Sequence, residues 1–143
     1  MRITRTAIAL LSLSTLLLAS LAFAGATMAG GRSFTTQLLG ENEVPVLGDP
    51  DGIGSATVTL NPGTGEVCYE ITVSGVDPLT AAHIHEAPTG SAGGVVIPLP
   101  LTDDCTTADR DVILDILRNP SDYYVNVHNV PFPGGALRGQ LSR

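Results

Sequence analysis

Three histidines, His83, His85 and His128, carry the most concentrated chemistry in this sequence. His83 and His85 are separated by one residue. On a strand, residues i and i+2 point to the same face, about 6.6 Å apart at a rise of ~3.3 Å per residue. Ile84 then points the other way, into a core. His128 ends a second alternating stretch, in which Tyr124, Asn126 and His128 share one face and Val125 and Val127 the other. If the two strands are neighbours, their Cα atoms stand about 5 Å apart and the three imidazoles can converge. Imidazole suits Zn, Cu, Ni and Fe, and divalent copper tops the affinity order. Three protein ligands leave one position open, as in a reactive rather than a closed structural site. The same spacing also suits a metal-free polar cluster whose rings hydrogen-bond to turns and to one another.

Other site classes fit these residues less well. A blue-copper centre needs a free Cys and usually a Met. Asp103-Asp104 and Asp49-x-Asp51 are too sparse for a calcium loop. No Gly-x-Ser-x-Gly elbow is present. The Gly-Gly pairs at 93–94 and 134–135 lack the strand–GxGxxG–helix setting of nucleotide binding. Asp103-Asp104 and Asp109-x-Asp111 read as solvated charges, the second pair suited to a helix start.

The elements that must position the histidines read as short strands broken by turns. Phe34–Leu39 is a first strand. The stretch 41–54 holds Pro45, Gly48, Pro50 and Gly52 and is irregular or an edge. Ala56, Val58 and Leu60 alternate with threonines, and Val67, Tyr69, Ile71 and Val73 alternate with Cys68, Glu70 and Thr72. The Asn61-Pro62-Gly63-Thr64-Gly65 turn between them makes a hairpin. Ala82–His85 is a strand. Val95–Leu101 is interrupted by Pro98 and Pro100 and cannot be a central strand throughout. One short helix is expected near 107–118. Thr106-Thr107-Ala108-Asp109 resembles a capping box, Val112, Ile113, Ile116 and Leu117 form its apolar stripe, and Asn119-Pro120 stops it. Tyr123–His128 and Ala136–Leu141 complete the set. The pattern predicts an all-β protein, an antiparallel Greek-key β-sandwich or barrel with that one helix.

Composition limits the partners. The chain has 143 residues, no Lys and a net charge of −7. Such a chain cannot neutralise phosphates across a surface, so nucleic acid and a polybasic membrane site are excluded as partners. An apolar content of 43% excludes a chain disordered by composition. Arg2 and Arg5 precede an uncharged apolar run, Ala7–Ala24, with Ala22-Phe23-Ala24 as a cleavage signature and Thr27-Met28-Ala29 as a second. Residues 1–24 read as a secretory signal peptide, cleaved after Ala24 or as late as Ala29; a single membrane anchor is the competing reading. Cleavage leaves no membrane segment, a net charge of −9 once Arg2 and Arg5 are gone, and a secreted or periplasmic protein. In that compartment the two cysteines, Cys68 and Cys105, are expected to pair as one disulfide. Thiolate metal ligation is the alternative, without a Cys-x-x-Cys spacing to favour it.

The region 33–143 resembles the CHRD domain, the module first named from chordin and also found alone in exported bacterial proteins. The resemblance rests on Leu39-Gly40-Glu41-Asn42-Glu43-Val44-Pro45, Val67-Cys68-Tyr69-Glu70-Ile71, Ala82-His83-Ile84-His85, Asn119–His128 and Pro133-Gly134-Gly135-Ala136-Leu137-Arg138-Gly139-Gln140-Leu141. It implies an extracellular β-sandwich or barrel. A fainter likeness is to copper–zinc superoxide dismutase: His83-Ile84-His85-Glu86 is similar to its copper-ligand strand, and Val125–His128 to the strand of its late ligand. That likeness implies copper at His83, His85 and His128, with Arg138 as a possible anion contact. There is no fourth histidine to bridge to zinc and no zinc loop, so the implied site is mononuclear. Three readings follow: a copper-binding exported module, a metal-free adhesion or protein-interaction module, and, with least support, a copper-only dismutase-like enzyme.

Overall fold

The computed structural model describes residues 31–143; the expected signal peptide lies outside the described residues. Eight strands follow one another: β1 (Arg32–Leu39), β2 (Ile53–Asn61), β3 (Glu66–Ser74), β4 (Leu79–Glu86), β5 (Gly94–Pro98), β6 (Cys105–Thr107), β7 (Tyr123–Asn129) and β8 (Leu137–Gln140), with helix α1 (Arg110–Arg118) before β7. They form one antiparallel sheet in the order β5-β4-β7-β8-β1-β2-β3-β6, curled into a nearly closed barrel. The alternation left a sandwich or a barrel open, and the single curled sheet is the barrel. From the β4–β5 hairpin the chain crosses to β6 at the other edge and returns through α1 to β7, which lies beside β4.

The segment between β5 and β6 bridges the two edges. Leu99 N donates to Ala82 O on β4 (2.9 Å), and Tyr69 on β3 donates its hydroxyl to Pro100 O (2.7 Å). The proline-interrupted run is an edge strand for the reason read from its sequence: β5 ends at Pro98, which could not donate to another strand. At the β2–β3 turn, Asn61 Oδ1 accepts from Gly63 N (2.9 Å), while Gly65 takes a positive φ of 75°.

Alternation fills the interior. Val58, Leu60, Val67, Ile84, Val125 and Leu137 are fully buried. Helix α1 adds Ile113 and Ile116 to the same core, with Val112 and Leu117 packed beside them, as the apolar stripe requires. Its start differs from expectation. The helix begins at Arg110, and Asp109 is its cap residue without a side-chain cap bond. Thr106 and Thr107 do not form a capping box, because β6 pairs them with Val67 and Glu66 of β3. Cys68 and Cys105 are joined by a disulfide directly across that strand pair.

Both faces of β7 are buried. Tyr124 and Asn126, on its outer face, are 3% and 2% exposed. Residues 40–48, 87–93 and 131–135 cover this face, as the hydrogen bonds below show. His85 sits under that cover, and His83 and His128 are half-buried at its edge.

Candidate metal centre

Strands β4 and β7 are antiparallel neighbours, with His83 opposite Asn126, His85 opposite Tyr124 and Ala81 opposite His128. The i,i+2 spacing places His83 and His85 on the outer face, and the pairing sets His128 diagonally from His83, within reach of a long side chain. The structure thus brings all three sequence-predicted ligands together. Ring centroids stand 5.5 Å apart for His83–His85, 5.0 Å for His83–His128 and 6.2 Å for His85–His128. One nitrogen of each ring lies within 4.8 Å of the other two. Donors about 2.1 Å from a common ion stand about 3.4 Å apart in a tetrahedral shell. His83 Nδ1 and His128 Nε2 are already 3.1 Å apart.

Hydrogen bonds set the proton positions. His85 Nδ1 lies 3.0 Å from Gly93 O, and His128 Nδ1 lies 3.1 Å from Pro133 O. A carbonyl only accepts, so each Nδ1 carries the proton and each Nε2 presents a lone pair. A backbone carbonyl holding the second ring nitrogen is the usual way a metal-ligating histidine is oriented. His128 Nε2 accepts from His83 Nδ1 in the metal-free protein. His85 Nε2 is buried and meets no donor. Gly93 makes its contact possible: a Cβ there would collide with the carbonyl of Glu86.

The rings are kept neutral. Burial is the first cause holding each of the three below the ordinary histidine pKa. His128 and His85 lower His83 further by charge repulsion; His128 and Arg138 do the same to His85. The carbonyl bonds of Gly93 and Pro133 oppose these effects without reversing them. A neutral imidazole is the form that ligates.

Tyr124 supports His85 twice. Its ring stacks on the imidazole at 4.9 Å with a 12° interplanar angle, and its hydroxyl accepts from Gly93 N at 3.2 Å. The Tyr124→Phe variant keeps the ring and frees Gly93. Its metal affinity is expected to fall about tenfold, the lower end for such supporting contacts, read by competition against a chelator of known affinity.

Arg138 is buried, 2% exposed. Its Nη1 donates to Ser91 O (2.8 Å), and its Nη2 to Pro88 O and Gln140 Oε1 (both 3.1 Å). Its guanidinium carbon lies 3.5 Å over the Tyr124 ring. The residue proposed for an anion thus holds the 88–91 segment down on Tyr124. Glu43 shares this face, with both carboxylate oxygens accepting from Asn126 Nδ2 at 2.8 and 3.0 Å. Reasoning from the sequence placed Glu43 only inside a family motif. It lies 83 residues from Asn126, and no local periodicity carries that contact.

Glu66, Cys68 and Cys105 also lie within 4.8 Å of one another. Both sulfurs are in the disulfide, so this group offers no thiolate. Among the described residues no helix is long and apolar enough to cross a membrane. The family model of the CHRD domain matches residues 34–141. No curated protein and no solved structure matches the chain.

Proposed function

The chain belongs to the CHRD-domain family, and from that premise we propose that it is an exported module that binds one copper ion at His83, His85 and His128. The observation that carries this reading is the lone pair on His85 Nε2. As a purely hydrogen-bonded cluster, His83 and His128 satisfy each other, and His85 is left with a buried acceptor and no donor. Such an orphan costs about 1–3 kcal/mol. An ion held by the three rings removes that penalty. The donor set of three borderline nitrogens fits copper. Copper would supply Lewis acidity and one-electron chemistry; the protein's own residues orient the rings and keep them neutral.

Export rests on the basic start and apolar run of residues 1–24 and on a disulfide in the mature region. Sequencing the N-terminus of protein recovered outside the cytoplasm tests it: cleavage after Ala24 or Ala29 is expected.

Copper titration with a thermal melt tests the site. One equivalent should bind, and free copper at about 100 times Kd should add about 2.7 kcal/mol of stability. His85→Ala should abolish that gain and weaken binding by more than about 100-fold, beyond what supporting residues contribute. Equal gains in the wild type and the variant would end the proposal. A superoxide-consumption assay on the copper-loaded protein separates a binding module from a dismutase-like enzyme; the mature charge of −9 disfavours long-range attraction of an anion.

A protein-interaction module is the second reading. It is favoured by the exposure of Val46 (77%), Leu47 (66%) and Val130 (78%). The first two occupy the irregular 41–54 stretch, beside a cavity of about 300 Å³ lined also by Pro131, Phe132 and Pro133. It stands if copper fails to bind.

A further inference from the structure

The three rings offer an ion neutral donors only. Among the described residues no carboxylate or thiolate joins His83, His85 and His128 in the ligand group. The second nitrogens of His85 and His128 are held by neutral carbonyls, not by carboxylates that would push negative charge toward an ion. Arg138 is the guanidinium that disfavours positive charge on His85.

Arg138 is a fixed cation one aromatic ring away. Its guanidinium lies against Tyr124, and Tyr124 lies against His85. Its hydrogen-bond acceptors, Ser91 O, Pro88 O and Gln140 Oε1, are all neutral. The acidic group that shares this face, Glu43, is 3% exposed, bonded to the Asn126 amide, and raised by burial to about 7 against a downward pull from Asn126 and Arg138. Glu86, at the end of β4, is exposed to water, which screens it.

The cost of moving an ion out of water grows with the square of its charge. A site of neutral donors with a buried cation behind it therefore penalises a doubly charged ion far more than a singly charged one. We infer that this site holds copper as the monovalent ion in preference to the divalent one, and that Arg138, acting across Tyr124, is the positioning residue that sets the preference. This rests on the three-histidine site proposed above.

The experiment measures Cu(I) and Cu(II) affinities of the full mature chain separately, by chelator competition without oxygen and in air, together with the midpoint potential of the bound couple. Ag(I) and Zn(II) serve as redox-inert monovalent and divalent probes. Cu(I) and Ag(I) should bind more tightly than Cu(II) and Zn(II). Arg138→Gln should reduce the Cu(I)-over-Cu(II) preference by about tenfold, a fall of about 59 mV in potential. Arg138→Lys, which keeps the charge, should restore most of it. Should Arg138→Gln fail to fold, the Ag(I)-against-Zn(II) comparison on the wild type still decides the charge preference. Tighter Cu(II) and Zn(II) binding that depends on His85 would overturn this inference and leave the three-histidine site standing. No binding of any of the four ions would remove both. An unchanged preference in folded Arg138→Gln would remove the role of Arg138.

Discussion

Replacing Cys68 and Cys105 together by alanine is expected to lower folding stability by about 3–4 kcal/mol. The bridge closes a loop with a sequence separation of 37, and loop-closure entropy for that length gives this magnitude. What the bridge holds is otherwise weakly attached. Strand β6 is three residues long and lies at the edge of the sheet. The backbone bonds Tyr69 N to Asp104 O (2.8 Å) and Ala108 N to Gly65 O (3.0 Å) fasten the same segment. The loss should therefore begin locally. Hydrogen exchange should rise first around Val67, Tyr69 and residues 99–108, and only later in β4, β7 and β8. Urea unfolding of the double variant measures the total. A loss below about 1 kcal/mol would show that the bridge is not a staple. Copper binding should persist in this variant, since the histidines lie on β4 and β7 and the bridge joins β3 to β6; its disappearance from a folded variant would contradict a site made by the three histidines alone.

Glu43→Gln is expected to stabilise the protein at neutral and higher pH by up to about 3 kcal/mol, and to leave it unchanged near pH 4. Burial pushes the Glu43 carboxyl up to about 7, against a pull downward from the Asn126 bond and from Arg138. Its ordinary value is 4.5. As pH rises from about 4.5 to 7, the unfolded chain gives up this proton and the folded chain keeps it. The unfolded state then binds fewer protons, so stability falls with pH and levels off above the folded value. At about 1.36 kcal/mol per unit, the interval gives the stated magnitude. Glutamine imitates the protonated acid and cannot ionise. Its amide also offers a donor to Asn126 Oδ1, which is buried without one. Gly135 leaves no slack for a poor fit: it has a φ of 150°, and a Cβ there would strike the carboxylate.

The histidines act in the opposite sense below pH 6.5. Each has its pKa held below 6.5. Their contribution is present above that value and is lost as pH falls through the lowered folded values. In the wild type the two slopes oppose each other. In Glu43→Gln the histidine slope stands alone, and stability should rise as pH climbs toward 6.5. Denaturation midpoints of both proteins across pH 4 to 8 give the comparison. A variant that follows the wild type at pH 8, or loses stability at every pH, would contradict a buried, titrating Glu43.

Much of this organisation was legible along the chain because strands and helices carry their own periodicity. Alternation in 56–60, 67–73 and 123–128 identified core and outer faces, and Asn119-Pro120 marked the helix end. The spacing of His83 and His85 placed both rings on one face, since every second residue of a strand must point the same way. An even cysteine count named the disulfide. The helix start was misplaced because Thr106 and Thr107 have two possible partners, the helix backbone and strand β3. Only pairing across the fold resolves that choice.

Tertiary structure alone decided which strands lie side by side. That β4 takes β7 as its neighbour converts a His pair and a distant His into one cluster; the nearest contact joins residues 45 positions apart. It also decided what covers the cluster. Glu43, Gly93, Arg138 and Pro133 come from four separate connections or strands, and their placement beside β4 and β7 depends on the barrel having closed. Side-chain direction follows from local backbone geometry and is written in every short stretch. Neighbourhood follows from how the whole chain encloses one core, and no short stretch holds that.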